Sequence, residues 1–212
     1  MVLSKAAIRE RLRLEPHNES AFAITPLPTE GAFDADAVDL RLGSHFLLPS
    51  AWNTPFATPY SLTPLTTPRV SVHVPIGRYL VLPPHQTALG ATLEFIKLPA
   101  DVSGQVLTKS SVARTFVVVE TAPWIHPAYR GCLTLEVANV SNTPVLLYPG
   151  TPLCQLVLLM VRDPEPPPAR LSGRFVGPVR PEGPALGLAG HLRILGATEA
   201  QVLSGPGPKA LA

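Results

Sequence analysis

The chain has 212 residues, of which 46% are hydrophobic, and a formal net charge of +2. The length and the hydrophobic fraction support one compact core with a tail. The small net charge and the lack of a run of Lys or Arg argue against a nucleic-acid partner. No apolar stretch is long enough to cross a membrane, so we expect a cytoplasmic protein with no membrane partner.

The first predicted element is a helix at the N-terminus. The stretch SKAAIRERL offers Ser4 as an N-cap and places Ile8 and Leu12 one turn apart. Its charged residues break the apolar core that a secretory signal needs. Elsewhere the 26 prolines disfavour long helices, and the one other helical stretch is ATEAQVLS near the C-terminus.

The middle of the chain is predicted to form short strands separated by turn residues. The apolar positions expected to face a core are Val38, Leu40 and Leu42 in VDLRLG, Leu93, Phe95 and Leu98 in TALGATLEFIKLP, the run from Phe116 to Val119, and Leu133, Leu135 and Val137 in CLTLEVAN. This pattern favours a β-sandwich or barrel. Residues 1–162 are therefore predicted as one all-β domain, and 163–212 as a Pro/Gly-rich tail that serves as a lid or packs on another subunit.

The sequence contains few familiar catalytic motifs. It has no GxxxxGK[ST] loop, no HExxH and no paired CxxC, so no zinc site is expected, and Cys132 and Cys154 are expected to be buried thiols. TKSSVAR, Thr108 to Arg114, places two cations beside two serine hydroxyls. Such groups suit phosphate oxygens, although the same composition fits a polar turn before a strand. Glu136, alone, fits a solvated strand residue or a buried acid.

Several segments occur in the order seen in the dCTP deaminase family, part of the trimeric dUTPase-like superfamily. They are MVLSKAAIRERL, AVDLRLGSHF, TLEFIKLPADVSGQVLTKSSVAR and TAPWIHPAYRGCLTLEVANVSNTPVLLYPGTPLCQL, and SGRFVGPVRPEGP resembles the family's Gly-Lys-Tyr-Gln-Gly-Gln lid. The resemblance covers about residues 1–160. It implies a distorted β-barrel or jelly roll of the dUTPase-like type, assembled as a homotrimer with active sites between subunits.

The resemblance implies hydrolytic deamination of dCTP to dUTP and ammonia without zinc, in the nucleotide metabolism that feeds dUTP and dTTP synthesis. Glu136 would be the general base, taking a proton from the water that attacks C4 of cytosine, and a buried position would suit it. Ser110 would help to hold the water and the base, and Arg114 would orient Glu136 and stabilise charge at the reaction centre.

The remaining site residues are also implied by the resemblance. The backbone of Thr121 and Ala122 would read the base edge and help to place the water. Magnesium would accompany the triphosphate, as a hard cation bound by oxygen. The triphosphate would contact Lys109, Ser110, Ser111 and Arg174, and the sugar would contact His126 and Tyr129.

Three departures from the family pattern leave alternatives open. His126 replaces the Asp that contacts the deoxyribose 3′-hydroxyl. The segment before Ile125 is one residue shorter than in the family, and the His that the family has before its Thr-Ala pair is absent here, with Glu120 nearby. Of the lid, only the cation Arg174 is kept. The alternatives are a catalytically altered or inactive trimeric nucleotide-binding protein and a dUTPase-type nucleotide hydrolase. The latter is disfavoured because His126 replaces the Asp that activates water in dUTPases.

Overall fold

The computed structural model describes residues 1–15, 17–50, 69–120, 124–164 and 177–183. The chain divides into two compact units. The first comprises Met1–Leu48 and Ser71–Glu182, and it holds nearly everything described below. The second, Pro49–Val70 with Gly183–Ala212, is described only at five residues: Pro49, Ser50, Arg69, Val70 and Gly183.

Strands dominate the described chain, which confirms the predicted all-β class with a short N-terminal helix. The elements are helices α1 (Lys5–Leu12) and α2 (Ser110–Ala113), a 3-10 turn at Glu30–Ala32, and strands β1 (Ala23–Thr25), β2 (Ala37–Arg41), β3 (His45–Pro49), β4 (Arg69–His73), β5 (Leu80–Leu82), β6 (Thr87–Lys97), β7 (Val102–Thr108), β8 (Val117–Glu120), β9 (Arg130–Asn139), β10 (Val145–Leu147) and β11 (Pro152–Met160).

The strands form three sheets around one core. The largest has the order β4-β3-β6-β9-β8, with β1 also paired to β6; the second is β2-β11-β7, and the third pairs β10 with β5. Leu40 of β2, Leu135 of β9 and Leu156 of β11 belong to the same buried cluster, so the sheets share a hydrophobic core.

Helix α1 begins as predicted. Ser4 Oγ accepts a hydrogen bond from the Ala7 amide at 3.4 Å, and Ile8 is fully buried. Just before the helix, the Leu3 amide donates to the Leu158 carbonyl at 2.8 Å, which joins the start of the chain to β11. The second predicted helix, ATEAQVLS, lies outside the described residues.

The apolar positions predicted for the core in VDLRLG and in β9 are buried. Val38, Leu40 and Leu42 are fully buried, and the three apolar positions of β9, Leu133, Leu135 and Val137, are buried as well. The acid in β2 does not follow the prediction of a polar, outward position, because Asp39 is only 8% exposed. A polar residue between buried neighbours therefore stays inside when partners satisfy it.

In β6 the sequence predicts the wrong face. Phe95, expected in the core, is 36% exposed, whereas Glu94 is completely buried. The reason is a set of hydrogen bonds to the carboxylate: Arg41 donates to Glu94 from its backbone amide at 2.9 Å and from Nε at 2.6 Å. The pairing of β6 with β9 also shifts register between Ala91 and Phe95, as at a bulge.

The turn after β9 is fixed by one buried amide side chain. Asn139 is 1% exposed, and its Nδ2 donates to the carbonyls of Leu82, Pro83 and Thr143 at 2.8–3.1 Å. Its Oδ1 accepts from the backbone amide and hydroxyl of Ser141. These hydrogen bonds fix the turn and join β9 to the end of β5.

Both cysteines are buried free thiols, as predicted. Burial, with help from the nearby carboxylates Glu94 and Asp39, raises the pKa of Cys154 to about 12. The thiol is therefore neutral at ordinary pH and acts as a small apolar side chain.

Part of the tail lies along β9. In the segment Gly177–Glu182, here called the strap, the Gly177 amide donates to the Arg130 carbonyl at 2.8 Å and the Pro178 carbonyl accepts from the Cys132 amide at 2.7 Å. The strap thus takes the edge of β9 that faces away from β6. The boundary proposed at residue 162 stays a prediction.

No helix among the described residues is long and apolar enough to span a membrane.

Candidate active site

Glu136, the predicted general base, lies on the outward face of β9. It is exposed in the chain, which corrects the expectation of a buried carboxylate, because the alternation that buries Leu135 and Val137 turns Glu136 outward. Its direct cross-strand partners are Leu89 on β6 and Glu120 on β8. Two carboxylates therefore share one face, which is an anionic surface suited to an approaching polar or cationic group.

The TKSSVAR stretch contains helix α2, a feature that the sequence did not reveal. Ser110, Ser111 and Arg114 are exposed at this helix, which packs against β8. Just before it, Thr108 Oγ1 donates to the Val119 carbonyl and accepts from the Val119 amide, both at 2.9 Å. Helix α2 is thereby anchored to β8 one residue from Glu120, and so beside the strand that pairs with Glu136.

Lys109, predicted to contact the triphosphate, already has a partner in the chain. Its Nζ lies 2.5 Å from Asp39 Oδ2, and Gln155 Nε2 donates to Asp39 Oδ1 at 3.1 Å. Asp39 and Gln155 were missed by the sequence analysis. The only signal was an acid within a strand flanked by apolar residues, and alternation assigned it to the polar face.

Ser110 and Arg114 are not joined to Glu136. Within the described part of the chain, no hydrogen bond or ion pair connects them to its carboxylate. A cavity of about 190 Å³ lies between α2 and the turn from β10 to β11, below the roughly 300 Å³ at which small-molecule pockets begin. The residues lining it are Ser111, Val112, Thr115, Val117, Val145, Leu146, Leu147, Tyr148, Thr151, Pro152 and Leu153.

The predicted sugar-contact residues lie just before β9. His126 is exposed, whereas Tyr129 is half-buried and its hydroxyl donates to the Cys132 carbonyl at 2.8 Å. Burial raises the pKa of Tyr129 well above its usual range, so this hydroxyl stays a donor. Ile125 fixes the segment by exchanging backbone hydrogen bonds of 2.8 and 2.9 Å with Gly104.

A glycine makes that contact close. A Cβ added to Gly104 would lie 3.0 Å from Leu156 Cδ1 and 3.2 Å from Ile125 Cδ1. The absent side chain therefore lets the His126 segment lie directly on β7.

Three predicted site residues, Thr121, Ala122 and Arg174, lie outside the described residues. Across the described ranges, no group of three or more His, Cys, Asp or Glu side chains forms a metal site. No residue is therefore assigned as a magnesium ligand.

Comparison with known families decides the relationship. Over residues 2–161 the chain matches the family described as dCTP deaminase-like. The chain belongs to this family. The family named from the sequence motifs is thus confirmed, over nearly the range that those motifs covered.

Relatives of known name match the chain across most of its length. The dCTP deaminase, dUMP-forming, of Methanobrevibacter smithii is 31% identical over 185 residues, covering 85% of this chain and 93% of the relative. The enzyme of the same name from Coprothermobacter proteolyticus is 34% identical, covering 86% and 95%. The dCTP deaminase of Natronomonas pharaonis is 34% identical, covering 86% and 93%.

A solved structure shares the fold of this dCTP deaminase-like chain. The 2′-deoxycytidine 5′-triphosphate deaminase from Agrobacterium tumefaciens superposes with a TM-score of 0.57 at 20% identity, over 76% of this chain. The chain spans about half of that protein, 48%. At this identity the likeness shows the fold alone, and it supports the predicted dUTPase-like β architecture.

Proposed function

We propose that this protein hydrolytically deaminates dCTP. The observation that carries the proposal is the position of Glu136 on the open face of β9, within a chain that belongs to the dCTP deaminase-like family. An exposed carboxylate with no partner in the described chain is free to accept a proton from a bound water. Buried and paired acids such as Glu94 have no such freedom.

Glu136 takes a proton from water as the hydroxide attacks C4 of the cytosine ring. It then delivers a proton to the C4 amino group, which leaves as ammonia, so that dCTP and water give dUTP and ammonia. Ser110 and Arg114 hold the water and the carboxylate, and the backbone of Thr121 and Ala122 receives the base edge. Ser110, Ser111 and Arg174 contact the triphosphate with its Mg²⁺, Lys109 adds a positive charge beside them from within its ion pair with Asp39, and His126 and Tyr129 lie at the sugar.

The final product is proposed to be dUMP. The names of the two dUMP-forming relatives support this, rather than the dUTP expected from the sequence. A second water then cleaves the bond between the α- and β-phosphates, so that dUTP and water give dUMP and pyrophosphate. The nucleophile of this second step is distinct from the C4 hydroxide.

A homotrimer completes the site in this proposal. The cavity beside α2 is too small for a nucleoside triphosphate, and among the described residues no hydrogen bond joins Ser110 to Glu136 within one chain. An apolar surface supports assembly: Val81 and Leu146, paired across β5 and β10, are 47% and 45% exposed, and the rings of Tyr79 and Tyr148 lie 5.6 Å apart beside them.

The test is incubation with dCTP and Mg²⁺, with ammonia, pyrophosphate and uracil nucleotides followed by enzymatic assay and chromatography. We expect ammonia and dUMP in equal amounts. Dephosphorylation without ammonia would favour a dUTPase-type hydrolase, and binding without turnover would favour an inactive nucleotide-binding protein. The Glu136→Gln variant should lose about 10²–10⁴-fold in kcat while still binding dCTP. Full activity in that variant would refute the assignment of the base.

A second variant tests the sugar contact. If His126 hydrogen-bonds the deoxyribose, His126→Asp should change KM, or the preference for deoxyribose over ribose, more than kcat. An equal change with dCTP and CTP, confined to kcat, would argue that His126 does not contact the sugar.

A further inference from the structure

We propose that Asp39 is a positioning residue of the active site, which acts through Lys109 on helix α2. The proposal rests on the deaminase function proposed above. Asp39 touches none of the exposed groups Ser110, Ser111 and Arg114. It holds the residue from which their helix starts.

The contact spans all three strands of one sheet. Asp39 is on β2, its direct cross-strand partner Gln155 is on β11, and Lys109 follows the end of β7 on the far side of β11. Each carboxylate oxygen has one partner: Oδ1 accepts from Gln155 Nε2 at 3.1 Å, and Oδ2 accepts from Lys109 Nζ at 2.5 Å. The Lys109 ammonium is therefore drawn back across the sheet.

Little water competes for this ion pair. The side chain of Asp39 is 10% exposed and that of Lys109 is 28% exposed. A paired charge in such a setting is held in a defined geometry, because releasing either partner leaves a charge with little solvent around it. Gln155 limits the movement of the carboxylate further, since it binds the oxygen that Lys109 does not use.

Lys109 transmits this geometry through its backbone. Its carbonyl accepts from the Val112 amide at 2.8 Å and from the Ala113 amide at 2.9 Å, which are the first turns of α2. Its own amide donates to the Leu153 carbonyl at 3.2 Å. A four-residue helix has no stability of its own, so the place of its side chains depends on such attachments. A displacement of about 1 Å in a catalytic group can cost about 100-fold in rate.

The chain offers a matched control for a purely structural ion pair. Arg11 and Asp101 form a two-pronged contact at 2.6 and 2.8 Å, with side chains 16% and 24% exposed. Their partners lie outside α2, β8 and β9. Asp101→Asn therefore removes a comparable charge pair without touching the proposed site.

The first experiment compares Asp39→Asn with Asp101→Asn. We expect Asp39→Asn to lower kcat/KM for dCTP by about 10–100-fold per folded molecule, and Asp101→Asn to change it less than about twofold. Asp39→Glu, which keeps the charge, should recover part of the loss. Equal activity losses in the Asp39→Asn and Asp101→Asn variants would overturn the proposal, because a general loss of stability would then explain both.

A double-mutant cycle tests the route through Lys109. In a Lys109→Gln background, the added Asp39→Asn change should cost less than about twofold, because the contact is already broken. Independent, multiplying losses would contradict action through Lys109.

Amide hydrogen exchange gives a readout that does not depend on turnover. In Asp39→Asn the Val112 and Ala113 amides should exchange about tenfold faster, while the β9 amides stay unchanged. Unchanged exchange at α2 would refute the positioning role even in an active enzyme. Faster exchange at α2 in a protein that deaminates nothing would keep Asp39 as the anchor of α2 and refute the proposed function instead.

Discussion

Two glutamates on neighbouring strands of one sheet have opposite environments. Glu94 on β6 is completely buried and both of its oxygens accept from Arg41, whereas Glu136 on β9 is exposed and has no partner in the described chain. Burial of a charge demands partners, so the first acid is committed to the fold. The second is left available for chemistry or for another molecule. The sequence context of the two acids, each between apolar residues, is alike.

The largest expected effect comes from making the same substitution at both positions. Glu94→Gln should lower the free energy of unfolding by about 2–4 kcal/mol, because it breaks the ion pair between the completely buried Glu94 carboxylate and the partly exposed Arg41. Glu136→Gln should change it by less than about 0.5 kcal/mol. Urea unfolding followed by circular dichroism measures both. In deamination rate per folded molecule, Glu136→Gln should instead show the larger loss. Equal losses of stability in the two variants would contradict the distinction between the two acids.

A smaller effect is expected at the end of β9. Asn139→Ala removes the donors and acceptor that satisfy the turn, and should cost about 2–3 kcal/mol of unfolding free energy. Asn142→Ala, three residues on and exposed, loses one contact with His85 and should cost well under 1 kcal/mol. The same urea titration compares them. If the exposed asparagine proved the costlier one, burial would not be what separates these polar groups.

A partly buried acid, Asp101, should affect how stability falls at low pH. The hydrogen bonds from Arg11, helped by its charge, hold the pKa of Asp101 below its ordinary value of 3.8 against the opposing effect of partial burial. This interaction stabilises the fold above that value and is lost as the pH falls through the lower, folded pKa. Asp101→Asn should therefore flatten the decline in Tm below about pH 4, at a cost of about 1 kcal/mol near neutral pH. An unchanged decline in Tm at low pH would mean that the Arg11–Asp101 pair contributes little to stability.

The smallest effect concerns His45, whose ring lies 4.7 Å from that of His73. Burial first, then the charges of Arg180 and His73, lower the pKa of His45 below 6.5. Its neutral form is favoured in the fold, so this contribution to stability is full above pH 6.5 and declines as the pH drops below it. His45→Gln should reduce the fall in Tm between about pH 7 and pH 5. A steeper fall in the variant would contradict the sign.

Much of the fold follows from local pattern. The alternation in β9 and the N-cap of α1 are both decided within a few residues, and both predictions are confirmed. β6 was predicted on the wrong face because its core includes Glu94, and only a partner 53 positions away makes that burial acceptable. The identity of such a partner is not contained in the strand's own sequence.

The candidate site is less predictable for the same reason. Resemblance to the family selected Glu136, Ser110 and Arg114. Of these three, only Glu136 could be assigned to a secondary-structure element, a strand, from the sequence. Helix α2 is too short for a periodic signal, and the commitment of Lys109 to Asp39 depends on β11 lying between their strands. These relations arise only when the sheet has formed.

The strap has a consequence for the behaviour of the chain at high concentration. An uncovered strand edge invites another chain to extend the sheet, which is a common route to aggregation. Here that stretch of β9 is bonded to the Gly177–Pro178 segment, and Pro178 itself has no amide hydrogen to offer a newcomer. A Cβ at Gly131 would lie 2.4 Å from Pro178 Cδ, so this glycine lets the protecting segment lie close. The strap thus protects the strand that carries Glu136 from unwanted pairing.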